Sequence, residues 1–141
     1  MTERWKQAVL YVAASWNVLG GVSALLDPAS HFRQLYFGAL RLDDPLQAFF
    51  FRAVWINVIA WGVGYALAAR WPVARAPILV AGGLGKLAYF GACVALFAAG
   101  GGGTPLLTAG ALDLAFAAMF ASVLWLGRPG HSLAGRPPPS A

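Results

Sequence analysis

Residues 76–126 read APILVAGGLGKLAYFGACVALFAAGGGGTPLLTAGALDLAFAAMFASVLWL, two apolar runs separated by a glycine turn. Lys86 lies in the middle of the first run, and Asp113 lies within the second. A charged side chain at the centre of a membrane helix is costly, by about 3 kcal/mol on insertion scales. We therefore expect both side chains to face the inside of a helix bundle and to find partners there.

The composition of the whole chain is typical of a membrane protein. Of its 141 residues, 60% are hydrophobic and only 11% are charged, whereas a soluble domain has about 25% charged residues. The net charge of +5 does not indicate a nucleic-acid partner, because the Lys and Arg residues stand between the apolar runs rather than in one patch. A single cysteine, Cys93, excludes an internal disulfide, a CxxC redox centre and a thiolate zinc site.

Four apolar segments predict four membrane spans, at residues 8–26, 46–69, 77–98 and 106–126. Each is close to the ~20 residues that a helix needs to cross the hydrocarbon core. The first run is longer than the apolar core of a signal peptide and is followed by no clear cleavage site, so we interpret it as an uncleaved helix. The predicted fold is all-α, an integral membrane four-helix bundle.

The segment after the first span predicts a fifth, shorter helix. Asp27 followed by Pro28 is a helix-start signal, and residues 29–41 then place apolar side chains at helical spacing with polar side chains between them. This helix is too short to span. It either lies in the membrane interface or packs as an ordinary loop helix on the end of the bundle. Residues 128–141 are polar and proline-rich and predict a disordered tail.

The basic residues predict the orientation of the spans. With four spans, the N-terminus, the second loop and the C-terminus share one side, and that side carries Arg4, Lys6, Arg70, Arg75, Arg128 and Arg136. The other side carries Arg33 and Arg41, offset by three aspartates. The positive-inside rule then predicts that both termini are cytoplasmic, and we expect the membrane to be the inner membrane of a bacterium.

Each predicted span carries a polar residue at similar depth: Asn17, Asn57, Lys86 and Asp113. A buried polar layer inside the bundle explains this coincidence better than the loops do. Small residues share a helix face with this layer and predict close helix packing. The predicted stripes are Ala13, Asn17, Gly20 and Ala24; Ala53, Asn57, Ala60 and Gly64; Ala81, Gly85, Ala88, Ala92 and Ala95; and Ala109, Asp113, Ala117 and Ala121.

Two readings of the charged pair stay open. Lys86 and Asp113 either neutralise each other and join the last two helices, or form a ligand or proton site. Arg52, two turns outward, either extends to the outer interface or reaches Asp113. Tyr89 is one helical turn from Lys86, so the candidate ligand-binding or buried polar cluster consists of Asn17, Arg52, Asn57, Lys86, Tyr89 and Asp113.

The pattern resembles the small bacterial membrane proteins of the DoxX-like kind. The matching features are the first span with Asn17, the Gly85-Lys86 pair, and Asp113-Leu114-Ala115-Phe116 before Phe120, within residues 8–126. The resemblance implies a role beside quinone-linked or thiol-redox membrane complexes. This chain has no cysteine pair, so it would not carry thiol redox chemistry itself, and no catalytic residue is transferred.

Three classes of function are compatible with the sequence. The leading hypothesis is a non-catalytic membrane protein that binds a lipophilic small molecule (a quinone, a lipid or a pigment) or a partner membrane subunit at the polar midplane. The second is a small dimeric proton-coupled transporter that uses Asp113, and the third is an accessory subunit of a membrane redox complex. A membrane enzyme is less favoured, since the sequence shows no nucleophile-base set and no metal site. The expected partners are membrane lipid and one of these ligands, subunits or a second copy of the chain.

Overall fold

The computed structural model describes residues 2–38 and 41–126 and is built from five α-helices. In chain order they are α1 (Glu3–Leu26), α2 (Pro28–Leu35), α3 (Pro45–Arg70), α4 (Arg75–Ala98) and α5 (Thr104–Leu126), with a 3-10 turn at Pro72–Ala74 before α4. Within the described residues, α1, α3, α4 (with its preceding turn) and α5 are long and apolar enough to cross a membrane. The predicted all-α four-helix architecture is confirmed.

Helix starts follow from local capping. The Asp27 side chain accepts a hydrogen bond from the Ser30 amide at 3.1 Å, with Pro28 as the first residue of α2. Asp44 does the same before α3, where its Oδ1 accepts from the Leu46 amide at 2.8 Å. In both cases a carboxylate satisfies amides that have no partner inside the helix, as the Asp-Pro signals predict.

The predicted helix at residues 29–41 is wrong in its second half. The structure ends α2 at Leu35, and Tyr36 is extended, with φ −120° and ψ 146°. Tyr36 forms an isolated antiparallel bridge with Gly102, and the Phe37 amide donates to the Gly101 carbonyl at 2.9 Å. Pairing with the glycine turn between α4 and α5 thus replaces the next helical turn. Positions 39, 40 and 127–141, including the predicted disordered tail, lie outside the described residues.

Two tightly packed helix pairs make up the bundle, α1 with α3 and α4 with α5. A Cβ at Gly21 of α1 would lie 3.0 Å from the Trp55 carbonyl oxygen, and a Cβ at Gly62 of α3 would lie 3.0 Å from the Ala14 carbonyl oxygen. The backbones of α1 and α3 are therefore too close for any larger residue at these positions. Such close approach is how membrane helices gain packing energy, since lipid offers no hydrophobic drive for their association.

Two of the four predicted small-residue stripes, those on α3 and α4, lie on largely exposed faces. On α1, Ala13, Asn17 and Ala24 are buried as expected, but the close contact is made by Gly21 rather than Gly20. The stripes on α3 and α4 are largely exposed; the residues buried there are Ala48, Gly62, Tyr65, Ala68 and Ala69 on α3, and Arg75, Leu79, Gly82, Lys86 and Cys93 on α4. Where the two pairs meet, Gly82 of α4 lies against Tyr65 of α3, and Gly82 is outside the stripe predicted for α4.

The packed core fills only one half of the bundle. It consists of Val9, Leu10, Ala13, Ala14, Tyr65, Ala68, Ala69, Leu79, Phe116, Phe120 and Val123. These residues come from the first half of α1, the second half of α3, the start of α4 and the second half of α5, which all lie toward the N-terminal end of the bundle. Toward α2 the two helix pairs separate, and a cavity takes the place of the core.

Candidate functional site

The cavity has a volume of about 1420 Å³, larger than the ~300–1,000 Å³ typical of small-molecule pockets. Its walls come from the second half of α1, from α2, from much of α3, from the middle of α4 and from the first half of α5. Aromatic side chains dominate the wall: Trp16, Phe32, Tyr36, Phe50, Phe51, Trp55, Trp61, Tyr65 and Tyr89. Among the described residues that line it, only Lys86 and Asp113 are Lys, Arg, Asp or Glu.

Lys86 is the centre of a polar cluster at the inner end of this cavity. Its Nζ donates to Asp113 Oδ1 at 2.5 Å and to Asn17 Oδ1 at 3.2 Å. Lys86 is 5% exposed and Asn17 is 7% exposed. A charge this far from water is stable only when paired and hydrogen-bonded, and the structure supplies both partners. The sequence-based expectation that Lys86 and Asp113 form an ion pair is confirmed.

Two aromatic rings complete the surroundings of the ammonium. Nζ lies 5.8 Å from the Tyr65 ring centroid and 5.2 Å from the Phe116 ring centroid. Both are within the ~6 Å at which a cation is attracted to a ring face. Tyr65 is only 1% exposed, and a Cβ at Gly82 would lie 2.7 Å from its Cε1. Gly82 is thus the position that lets this ring pass α4 and reach the cluster.

Asn17 joins the two helix pairs. While its Oδ1 accepts from Lys86, its Nδ2 donates to the Val58 carbonyl of α3 at 3.3 Å. Hydrogen bonds therefore run from α3 through α1 and α4 to α5. The interpretation of Asn17 as a link between helices agrees with this geometry, because one side-chain amide serves a backbone acceptor and a charged donor together.

The other predicted site residues lie farther from the charges. The prediction that Asn57 belongs to the buried polar layer is wrong: Asn57 is exposed on the cavity wall, and its side chain makes no hydrogen bond within the described part of the chain. Tyr89 is half-buried and also lines the cavity. Arg52 is exposed and absent from the wall, and Asp113 pairs with Lys86 instead, so the structure contradicts the alternative in which Arg52 reaches Asp113. Its position on α3 points its long side chain away from the bundle, where it can reach the interface.

The outer end of the cavity carries His31 of α2. Its ring meets Trp55 edge-on, with centroids 4.5 Å apart, and its buried Nε2 has no hydrogen-bond partner among the described residues. Burial lowers the pKa of His31 below its usual 6.5 because it disfavours the charged imidazolium. Burial likewise raises the pKa of Tyr36, next along the chain from α2. Both groups are therefore neutral near pH 7.

Arg75 closes the opposite end of the bundle. In the sequence, Arg75 is only one of the basic residues of the second loop. In the structure, its Nε donates to the Ala68 carbonyl at 2.9 Å and its Nη2 donates to the Ala69 carbonyl at 3.2 Å. Arg75 also forms an ion pair with Glu3. These carbonyls belong to the last turn of α3, which the guanidinium caps. This end is therefore tied together, while the end beside α2 stays open.

Three contributors to the site escaped sequence reasoning: Phe116, His31 and Gly82. Phe116 and Gly82 resemble ordinary apolar helix residues, and only the packing of the two helix pairs brings them to Lys86. Asp27-Pro28 did signal the helix that carries His31, but nothing in the sequence places that helix over the cavity. Comparisons with protein-family models, curated proteins and solved structures found no match for this chain.

Proposed function

We propose that this chain is a non-catalytic membrane protein that binds a lipophilic small molecule, of the quinone, lipid or pigment class, in the cavity between its helix pairs. The observation that carries the proposal is an aromatic cavity of about 1420 Å³ that ends on a buried ion pair. A cavity with apolar walls and a few convergent polar groups is the usual form of a small-molecule site.

The two ends of the cavity supply different interactions. The walls formed by Trp16, Trp55 and Trp61 suit a flat or branched apolar body. The inner end offers the Lys86–Asp113 pair, which can orient a polar group in a low-dielectric setting. Binding is proposed in preference to catalysis because Lys86 and Asp113 are hydrogen-bonded to each other as a buried pair.

The ion pair also bears on the transporter alternative. A proton-coupled carboxylate must exchange protons during transport, whereas Asp113 is held at 2.5 Å by a buried ammonium. Proton-coupled efflux in proteoliposomes that is abolished by Asp113→Asn would favour that alternative over simple binding.

We further propose the orientation that the basic residues predict, with both termini in the cytoplasm of a bacterium and the cavity in the outer half of its inner membrane. Within the described residues, the end that carries Glu3, Arg70 and Arg75 is the one that the core closes. The DoxX-like resemblance adds the alternative proposal that the chain is an accessory subunit of a membrane redox complex, which it would contact through exposed apolar helix faces.

Two glycines of α4 provide a matched test. A Cβ would meet nothing within 4 Å at either Gly85 or Gly83, but only Gly85 lines the cavity. Gly85→Phe should therefore fill the inner end of the cavity, and Gly83→Phe should place the same ring elsewhere on α4. Mass spectrometry of small molecules that co-purify in mild detergent is the readout.

A specific apolar molecule should accompany the wild type and Gly83→Phe in equal amounts and should fall at least fivefold in Gly85→Phe. Equal recovery from all three proteins, or recovery of bulk phospholipid alone, would contradict binding in this cavity.

A further inference from the structure

Lys86 is largely committed to protein partners. An ammonium has three N–H donors; two serve Asp113 and Asn17, and Nζ lies 5.8 Å and 5.2 Å from the ring centroids of Tyr65 and Phe116. With 5% of its surface exposed, Lys86 offers little surface to a bound molecule. Asp113 is therefore the member of the pair that can form a hydrogen bond with a ligand at the inner end of the cavity.

Asp113 does have capacity left. An ionised carboxylate accepts up to about four hydrogen bonds, but the only one that Asp113 receives within the described residues is from Lys86, at Oδ1. Its side chain is 15% exposed and lines the cavity. The second carboxylate oxygen, Oδ2, is thus accessible from the cavity and can accept a hydrogen bond from a bound donor.

The charges of the site indicate an uncharged ligand. Lys86 and Asp113 sum to zero, and no other Lys, Arg, Asp or Glu lies among the described lining residues. An anion would stand against the Asp113 carboxylate, and a cation would stand against the Lys86 ammonium. Either would also lose its hydration in an apolar cavity without a compensating counter-charge.

The depth of Asp113 in the membrane further restricts the class of ligand. Asp113 lies roughly 13 Å along α5 from its first residue, Thr104, at 1.5 Å per residue. A phospholipid keeps its polar head at the interface and would bring only acyl chain to this depth. A molecule that reaches Asp113 with a polar group must carry that group on an otherwise apolar body.

We infer that the cavity selects uncharged lipophilic alcohols or phenols, with the ligand hydroxyl donating a hydrogen bond to Oδ2 of Asp113. This inference rests on the proposed binding function and names its substrate class. Quinols belong to that class. Quinones do not, because their carbonyls only accept hydrogen bonds and would face an acceptor.

The test compares 4-octylphenol with its methyl ether, each brominated at the end of the alkyl chain. The two have the same body, and only the phenol donates. Bromine quenches tryptophan fluorescence at short range, and Trp16, Trp55 and Trp61 line the cavity whereas Trp5 and Trp71 do not. Titration of the protein in nanodiscs at pH 7 then gives the half-quenching mole fraction of each probe in the bilayer.

The phenol should reach half-quenching at a mole fraction at least tenfold lower than the ether, as expected for a hydrogen bond to a charged acceptor. The difference between the two probes should vanish in Gly85→Phe. Any difference that remained in this variant would measure unequal partition of the probes into the bilayer. It should also vanish in Lys86→Met/Asp113→Leu, which removes the acceptor and leaves the site neutral.

Each outcome separates the two proposals. Equal binding of phenol and ether to the wild type overturns the donor preference and leaves the binding function standing. Half-quenching of the wild type and of Gly85→Phe at the same mole fraction, for both probes, counts against the binding function itself. The comparison within the wild-type protein decides the matter even if the double variant does not fold.

Discussion

Removal of one charge from the Lys86–Asp113 pair should destabilise the protein far more than removal of both. Lys86→Met leaves Asp113 as a buried carboxylate without a counter-charge, and Asp113→Asn leaves the 5%-exposed ammonium with only neutral acceptors. In the double variant no charge remains, and the Asn17 amide keeps its bond to the Val58 carbonyl. The fold should then recover most of its stability.

The magnitude follows from burial. Breaking a buried pair by removing one partner costs about 3–5 kcal/mol, and insertion scales give about 3 kcal/mol for one charge at a helix centre. Each single variant should therefore lose about 3 kcal/mol of unfolding free energy, a factor of roughly 100 in the equilibrium constant. The double variant should lose less than about 1.5 kcal/mol, so the coupling free energy is at least about 4.5 kcal/mol.

Reversible unfolding in mixed detergent–SDS micelles, followed by tryptophan fluorescence, gives the four free energies of the cycle. The exposed pair Arg41–Asp43 is the matched control, since its nitrogen–oxygen distance is 3.6 Å and its side chains are 65% and 77% exposed. Its coupling should be below about 1 kcal/mol. If the losses of Lys86→Met and Asp113→Asn simply add in the double variant, the two charges do not stabilise each other and the site is misassigned.

Three further outcomes are expected. Gly21→Val should weaken the α1–α3 contact by about 1–3 kcal/mol in the same unfolding assay, whereas Gly20→Val should leave it unchanged because a Cβ there meets nothing within 4 Å; equal losses would contradict the packing described. Arg75→Met should cost about 2–3 kcal/mol by freeing the carbonyls at the end of α3, with the exposed Arg70→Met as its control and circular dichroism to verify helix content. The lowered pKa of His31 makes the unfolded chain bind its proton first, so stability should be highest above pH 6.5 and fall as the pH drops below that value; His31→Phe should flatten this part of the pH profile, and an unchanged profile would refute it.

The sequence predicted the architecture because lipid imposes few solutions. Four apolar runs of about 20 residues, set apart by Asp-Pro and glycine signals, are sufficient to predict four helices. The partnership of Lys86 with Asp113 followed from the cost of either charge alone. Asn17 followed from its depth and its place on the same face as small residues.

The faces of α3 and α4 could not be predicted in the same way. Both helices are apolar all round, so periodicity gives no direction, and small residues occur on lipid-exposed as well as packed faces. Gly62 and Gly82 are buried, yet Gly64 and Gly83 resemble them in sequence and are less enclosed. Arg75 illustrates a second limit: a basic residue near a membrane boundary indicates orientation, whereas its hydrogen bonds to α3 depend on the tight 3-10 turn before α4.

Pairing of the two charges on consecutive helices has a consequence for biosynthesis. The residues are 27 apart in the chain, so at about 5–20 residues per second the ribosome delivers the second within a few seconds of the first. The last two spans can then leave the translocon as a neutral hairpin, and neither charge has to cross the bilayer alone. Asn17 of the first span can bond to the Val58 carbonyl only after α3 has been synthesised, because this acceptor lies 41 positions later. The hairpin of α4 and α5 forms after that, and its two charges neutralise each other within the hairpin.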